Sequence, residues 1–275
     1  MVIKGLERQR NLKRDYIKNS EMDCPAIEGR RMKTASFMTE GDPDLQSAFT
    51  EAGFSINLRE AWHRVCGDCR ACMPCRVPVE RFTPSRTQRK IKNRNEQETE
   101  VRRVAVYDLD FAERRKLLAE YASLNKAYMR TRHAGRIHDQ GEVIRNYEEK
   151  ILNRNCTTLE FRRKEDGKLV GVAVLHQSRD GLFGYSFYDP QDSRLSYGTY
   201  VVLESIEEVR RQGKAYLYMG PVTNEPSAFA YKASFRPLEI IGKLGWQEVD
   251  DVRQHRRHDA VPVATARAYA KRIFE

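Results

Sequence analysis

The way hydrophobic periodicity changes along the second half of the chain limits its fold more than any other feature. Three short runs, Leu159–Phe161, Leu169–His176 and Leu182–Tyr188, are rich in β-branched and aromatic residues and read as consecutive strands. Gly167 and the pair Asp180-Gly181 supply the turn residues between them, so the runs form an antiparallel meander. Val101–Tyr107 reads as an earlier strand. Phe111–Thr131 reads as a long helix with Leu117, Leu118, Tyr121 and Leu124 on one face, and Gly141–Leu152 as another helix. Tyr197–Arg211 is a helix with Val201, Val202, Ile206 and Val209 inward, Ala215–Met219 a buried strand, and Pro226–Phe235 a short helix. This order calls for an α/β (α+β) layer with a mixed sheet.

The first part of the chain has a different texture. Residues 1–20 are polar and basic, a short helix or loose arm. Residues 33–39 read as a strand. Asp42-Pro43-Asp44 opens a helix to about Ala52, which Gly53 ends. The alternation over Arg76–Phe82 fits a short strand, and Pro78 favours an edge position. The expected division is an N-terminal region at 1–98, a core at 99–250 and a basic tail at 251–275.

Of six cysteines, Cys66, Cys69, Cys72 and Cys75 fall in one tight repeat. The start of the sequence has no apolar export signal, so a disulfide framework is not expected. Two Cys-x-x-Cys pairs this close are unlike a zinc ribbon, which separates its pairs by a longer loop. A cysteine-rich loop completed by a distant cysteine looks more like iron–sulfur ligation. The expected set is Cys24, Cys66, Cys69 and Cys72, with Cys75 competing, around an iron–sulfur cluster or zinc. Cys156 opens a strand-like segment and reads as a small buried hydrophobe.

Lys and Arg total 49 against 39 Asp and Glu, a net charge of +10. That excess points to an anionic partner. The densest basic run follows the cysteine repeat: Pro84-Ser85 caps a helix on which Arg86, Arg89 and Lys90 share a face, with Lys92 and Arg94 beyond. These five residues are the expected contacts to a nucleic-acid backbone. No apolar run approaches the ~18 residues of a membrane span, so a cytoplasmic protein is expected. The sequence has no phosphate loop, Gly-x-Ser-x-Gly elbow, zinc-protease motif or dinucleotide fingerprint. An enzyme of this kind needs no nucleotide cofactor if its substrate arrives already activated.

Three stretches together resemble the aminoacyl-tRNA–protein transferases of the arginyltransferase type, particularly the bacterial leucyltransferases acting on N-terminal Asp or Glu. The first is Cys66-x-x-Cys69-x-Ala71-Cys72-x-Pro74-x-Arg76-Val77-Pro78-Val79, followed by Phe82-x-Pro84-Ser85-Arg86-x-Gln88-Arg89. The second is Phe187-Tyr188-Asp189-Pro190, then Tyr197-Gly198-Thr199-Tyr200. The third is Tyr216-Leu217-Tyr218-Met219-Gly220, then Tyr231-Lys232-x-x-Phe235-Arg236-Pro237-Leu238-Glu239. The resemblance implies a core like that of the acetyltransferase (GNAT) superfamily. It also implies a cytoplasmic enzyme that moves Arg or Leu from charged tRNA to a protein N-terminus in the N-degron pathway. The chain departs from the pattern at Cys24-Pro25-Ala26-Ile27-Glu28, Gly53-Phe54-Ser55-Ile56, Met219-Gly220-Pro221 and Ala228-Phe229-Ala230. Donor-side motifs are thus kept more fully than acceptor-side ones. Alternatives are a small-molecule or peptide acceptor in specialised metabolism, and a non-catalytic, metal-stapled tRNA-binding protein. Nothing in the sequence demands an oligomer.

Transfer from an aminoacyl ester needs a neutral amine and donors for the tetrahedral oxyanion. Asp189, at the end of a strand, is the expected group to orient or deprotonate the amine. Tyr188 and Tyr197 are expected to donate to the oxyanion or stack on the terminal adenosine. Arg76, Lys232 and Arg236 are expected to read an acidic acceptor or the tRNA end.

Overall fold

The computed structural model describes residues 16–39, 41–57, 59–67, 69–132, 155–242 and 245–256. The expected helix at Gly141–Leu152, the first fifteen residues and the tail from residue 257 lie outside them. In chain order the elements begin β1 (Tyr16–Asp23), β2 (Arg31–Met38), α1 (Pro43–Glu51), β3 (Ser55–Ile56), β4 (Glu60–Arg64), β5 (Cys72–Pro78) and α2 (Arg86–Glu98). Then come β6 (Thr99–Val104), α3 (Phe111–Arg132), β7 (Cys156–Arg163), β8 (Leu169–Gln177), β9 (Gly181–Tyr188) and α4 (Tyr197–Arg211). Last are β10 (Tyr216–Thr223), β11 (Glu239–Gly242) and β12 (Gly245–Glu248). The fold class is α+β. The order expected of an acyltransferase core is present as β6, α3, β7, β8, β9, α4 and β10.

Two compact units divide the chain: residues 1–78 with 218–275, and residues 79–217. The first holds an antiparallel sheet in the order β1-β2-β4-β3. Asp42 caps α1 by accepting the N–H groups of Asp44 and Leu45, and Pro43 sits where a helix needs no donor. Phe37, Phe49, Phe54 and His63 pack edge to face or stacked behind this sheet, with ring centroids 4.5–5.8 Å apart. Gly53, at φ +85°, ends the turn after α1 in contact with Pro74 and Ile241, where no larger residue adopts that backbone without strain. The same unit carries strands ordered β12-β11-β5-β10.

Several expectations change here. The part of the N-terminal arm within the described residues, from Tyr16, is a strand, because it pairs antiparallel with β2 in continuous register from Lys18 to Asp23, after a bulge at Ile17. The cysteine repeat is not all loop: from Cys72 it is β5. Pro78 does not mark an edge, since β5 lies between β11 and β10, and the proline is its last residue. Pro226–Phe235 is not an α-helix but a turn region ending in a 3-10 stretch at Ala230–Ser234. Ser227 captures the Thr223 hydroxyl at 2.6 Å and the Phe229 N–H at 3.1 Å, which holds the backbone out of a helix.

In the unit of residues 79–217, β6, β7, β8 and β9 form the antiparallel meander. β8 is buried along almost its whole length. Val172 and Val174 face Tyr121, Leu118 and Leu124 of α3. The opposite face turns to α4: a side chain at Gly171 would meet Phe161 and Val201. Covered on both sides, β8 reads as the unbroken apolar run Leu-Val-Gly-Val-Ala-Val-Leu.

α4 is latched to this meander by Glu208. Its buried carboxylate accepts from Arg103 of β6 at 2.6 Å, from Arg211 at 2.9 Å and from Gln212 at 2.6 Å. Burial pushes its carboxyl upward, but these donors outweigh burial and hold it at about 2. Its share of stability is therefore complete above pH 4.5 and is lost as the pH falls toward 2. Urea unfolding should register this as a decline of about 1–2 kcal/mol, discounted because both arginines are half exposed. Glu208→Gln should start less stable and show a flatter acid branch.

Candidate functional site

In the unit of residues 79–217, a hairpin turn and a bulge set the position of Asp189. Gly167 (φ +70°) closes the β7–β8 turn, with its N–H on the Arg163 carbonyl at 2.8 Å and the Arg163 N–H on the Lys168 carbonyl at 2.9 Å. Phe161 pairs with Gly171 and Arg162 with Leu169, so Val170 is an extra residue in β8. Its carbonyl takes the Asp189 N–H at 2.8 Å, which extends the pairing of β9 one residue past its end. The Asp189 side chain is 12% exposed. Its Oδ2 accepts from Lys168 Nζ at 2.8 Å and its Oδ1 from the Gln191 N–H at 3.0 Å. Burial pushes this carboxyl up, but the two hydrogen bonds win and hold it below the usual carboxylate range.

The expected tyrosines flank this carboxylate in sequence. Tyr188 is half-buried. Its ring meets Tyr128 edge to face at 5.0 Å and lies 5.7 Å from the Arg132 guanidinium. It also covers the first turn of α4: a methyl on Gly198 would stand 2.8 Å from the Tyr188 hydroxyl oxygen and two ring carbons. Tyr197 is buried as the first residue of α4, and Ser196 before it is left-handed at φ +51°. Burial pushes both phenols up, so they remain protonated donors near neutral pH.

The basic helix forms as the sequence predicts. Ser85 and Gln88 make a reciprocal capping box at the start of α2. Arg86, Arg89, Lys90 and Arg94 are exposed. Arg89 also donates to the Pro84 carbonyl, and Arg94 to the Arg194 carbonyl at 2.9 Å. Lys92 differs from the other four: it is half-buried and paired with Glu204 at 3.0 Å. Asn95 is buried and donates to the Leu195 carbonyl at 2.6 Å, so the face opposite the arginines is the packed one.

The three expected acceptor-reading cations lie in the other unit, and each is engaged with the protein's own groups. Arg76 pairs with Glu239 at 2.7 Å, donates to the Tyr218 hydroxyl at 3.1 Å and lies 4.6 Å from the Trp246 ring. Lys232 is buried and donates to the carbonyls of Met219 at 2.6 Å and Pro221 at 2.9 Å, clamping the strand around Gly220 (φ +67°). Burial drives its ammonium down to about 8. Arg236 donates to the carbonyls of Ala233 and Val249. The expectation that these three read an acceptor gains no support from this geometry.

The cysteines are not gathered either. All six are free thiols. Among the described residues, no three Cys, His, Asp or Glu side chains are placed to hold a metal ion. Cys72 and Cys75 stand three apart on β5, a spacing that the pleat sends to opposite faces. Burial pushes the Cys75 thiol up to about 12, against the pull of Lys232, and a neutral thiol is a weak ligand. The expected iron–sulfur or zinc site gains no support from this arrangement, and no step of the reaction is routed through one.

Sequence reasoning missed Lys168 and the role of Gly198. The turn signal at Gly167 marks a hairpin, but nothing local to Lys168 announces its partner twenty-one residues on.

The unit of residues 79–217 thus holds a partly covered carboxylate next to Tyr188 in sequence and an exposed basic helix. Family comparison is more specific. The chain matches the model for the N terminus of arginine-tRNA-protein transferase over residues 16–90 and that for its C terminus over residues 120–242. It is 31% identical to an aspartate/glutamate leucyltransferase of Chromobacterium violaceum, covering 83% of this chain and 91% of that one. It is 34% identical to the enzyme of the same name from Parvibaculum lavamentivorans, covering 82% and 90%. The chain belongs to the arginine-tRNA-protein transferase family. Among solved structures, L-PGS from Bacillus licheniformis aligns with a TM-score of 0.42 at 15% identity, over 58% of this chain and 47% of that one. FemX aligns at 0.43 and 12% identity, over 57% and 54%.

Gly198→Ala should force the Tyr188 ring off α4. Thermal unfolding should show a loss of about 1–3 kcal/mol. Adding Tyr188→Leu should recover part of it, because the two changes share one contact.

Proposed function

We infer that the chain moves leucine from charged tRNA to the α-amine of a protein or peptide that begins with Asp or Glu. By family membership it is an aminoacyl-tRNA-dependent transferase acting on protein N-termini. The leucine donor and the acidic acceptor are the specific part of this reading. The observation that carries it is the match to bacterial aspartate/glutamate leucyltransferases along more than four fifths of the chain. The donor ties the enzyme to the cytoplasm, where charged tRNA is made. Among the described residues, no helix is long and apolar enough to cross a membrane.

The chemistry follows from the residues in place. The ester between amino acid and tRNA is already activated, so no phosphate loop is needed. The neutral acceptor amine attacks the ester carbonyl, the C–N bond forms, and the C–O bond to the terminal ribose breaks. Asp189 accepts an N–H hydrogen bond from the amine and aims its lone pair. A carboxyl held low is a weak base, so orientation rather than proton removal is its role. The Tyr188 hydroxyl supplies a donor for the oxyanion. Tyr197, buried beneath the turn, fixes the start of α4. Arg86, Arg89, Lys90 and Arg94 hold the tRNA backbone by charge and shape, with little base reading.

The deciding experiment supplies tRNA charged with labelled Leu or Arg, together with peptides beginning Asp, Glu or Ala. Leucine should enter the Asp and Glu peptides. Label entering only another amine would indicate a small-molecule acceptor, and tight binding without transfer a non-catalytic tRNA-binding protein. Asp189→Asn should lower kcat about a hundredfold and leave tRNA binding intact. Replacing Arg86, Arg89, Lys90 and Arg94 with Gln should weaken tRNA binding and reduce the slope of log K against log salt by about 3. An unchanged slope would remove α2 from the interface.

A further inference from the structure

Asp189 does not stand alone: a second charged residue is built onto it, and it belongs to no motif. Lys168 Nζ lies 2.8 Å from Asp189 Oδ2. The carboxylate is 12% exposed and the lysine side chain 48%. The turn that carries the lysine is fixed on three counts. The Lys168 N–H donates to Asp166 Oδ1 at 3.0 Å, and the Lys168 carbonyl takes the Arg163 N–H at 2.9 Å. The adjoining Gly167 carbonyl accepts from Arg162 at 3.1 Å. Among the described residues, a second cation near Asp189 is Arg163 at the end of β7, whose guanidinium is held by Asp166. From α4, the Tyr197 phenol, kept protonated by burial, lies within electrostatic reach of Asp189. Lys168 is thus the cation hydrogen-bonded to the carboxylate.

This pairing matters because of the acceptor. An α-amine titrates near pH 8, and its ammonium form has no lone pair to attack with. A lone, largely covered carboxylate would bind that ammonium as an ion pair and stabilise the unreactive form. A carboxylate whose charge is already balanced still accepts an N–H hydrogen bond but no longer favours the cation. We propose that Lys168 is a positioning residue: by neutralising Asp189, it makes the site take the acceptor amine in its neutral, nucleophilic form. The proposal rests on the transfer reaction inferred above. The amine nitrogen bonds to the ester carbonyl carbon, the ester C–O bond breaks, and the amine's surplus proton leaves with the ribose oxygen as a hydroxyl.

The test measures single-turnover transfer by the full-length protein to a peptide beginning with Asp, from pH 6 to pH 9.5. In Lys168→Met, the rising limb of the rate should move up by about one pH unit, because Asp189 then pairs with the ammonium. At pH 7 the rate should fall about tenfold, and at pH 9 it should come back to within about twofold of wild type. Lys168→Arg should keep the wild-type profile, and Lys168→Met in an Asp189→Asn background should show no shift. Lys168→Gln serves as the second neutral variant, and thermal unfolding of each variant reports whether it is folded. A limb that stays in place in the folded neutral variants, or a loss uniform across pH, overturns the proposal while the transfer reading stands. No transfer by the wild-type chain to any peptide overturns that reading and this proposal with it.

Discussion

Burial of β8 on both faces is the constraint on which the 79–217 unit depends. A strand covered by α3 on one side and α4 on the other cannot slip by one residue without turning its apolar set into the wrong layer. Its register with β7 and β9 is therefore fixed, and so is everything attached to its ends. The extra residue Val170 sits at its entrance, and its carbonyl holds Asp189 in line with β9. The turn before it presents Lys168 to that carboxylate. The placement of Asp189 and Lys168 is thus a consequence of how the middle of the sheet is packed.

The distribution of charge follows the same logic. A net charge of +10 looks like a surface ready for a polyanion, yet many individual cations are engaged within the protein. Arg103 and Arg211 meet at Glu208, Arg162 bridges Glu160 and Glu120, and Arg76 is paired with Glu239. Buried or half-buried cations need these partners, because an unpaired charge out of water is costly. Among the described residues, Arg86, Arg89, Lys90 and Arg94 of α2 stay exposed. The opposite face of α2 is anchored by Asn95 and by the Lys92–Glu204 pair.

Sequence motifs and geometry diverge most in the unit of residues 1–78 and 218–275. Arg76, Lys232 and Arg236 stand in stretches that resemble the family, and the resemblance invites a reading as ligand contacts. Their places in the fold show another reason for a cation there. Lys232 joins the carbonyls on either side of Gly220, and Arg76 fills the space between Glu239, Tyr218 and Trp246. The cysteine repeat is similar. Its spacing reads as a ligand loop, but half of it lies on β5, where adjacent strands hold it extended.

The sequence by itself determined the elements whose causes are local. Ser85 and Gln88 announce the start of α2, Asp42-Pro43 announces α1, and Gly167 and Asp180-Gly181 announce the meander, because caps and turns are decided within four or five residues. It also determined the family, through motifs spread along most of the chain. Only the tertiary structure decided which charges are free and which are engaged. Lys168 with Asp189, Arg103 with Glu208 and Arg76 with Glu239 are separated by 21, 105 and 163 residues. No local pattern encodes such pairs. They exist because strand register and helix packing bring distant side chains into one low-dielectric place, where each charge must find its partner.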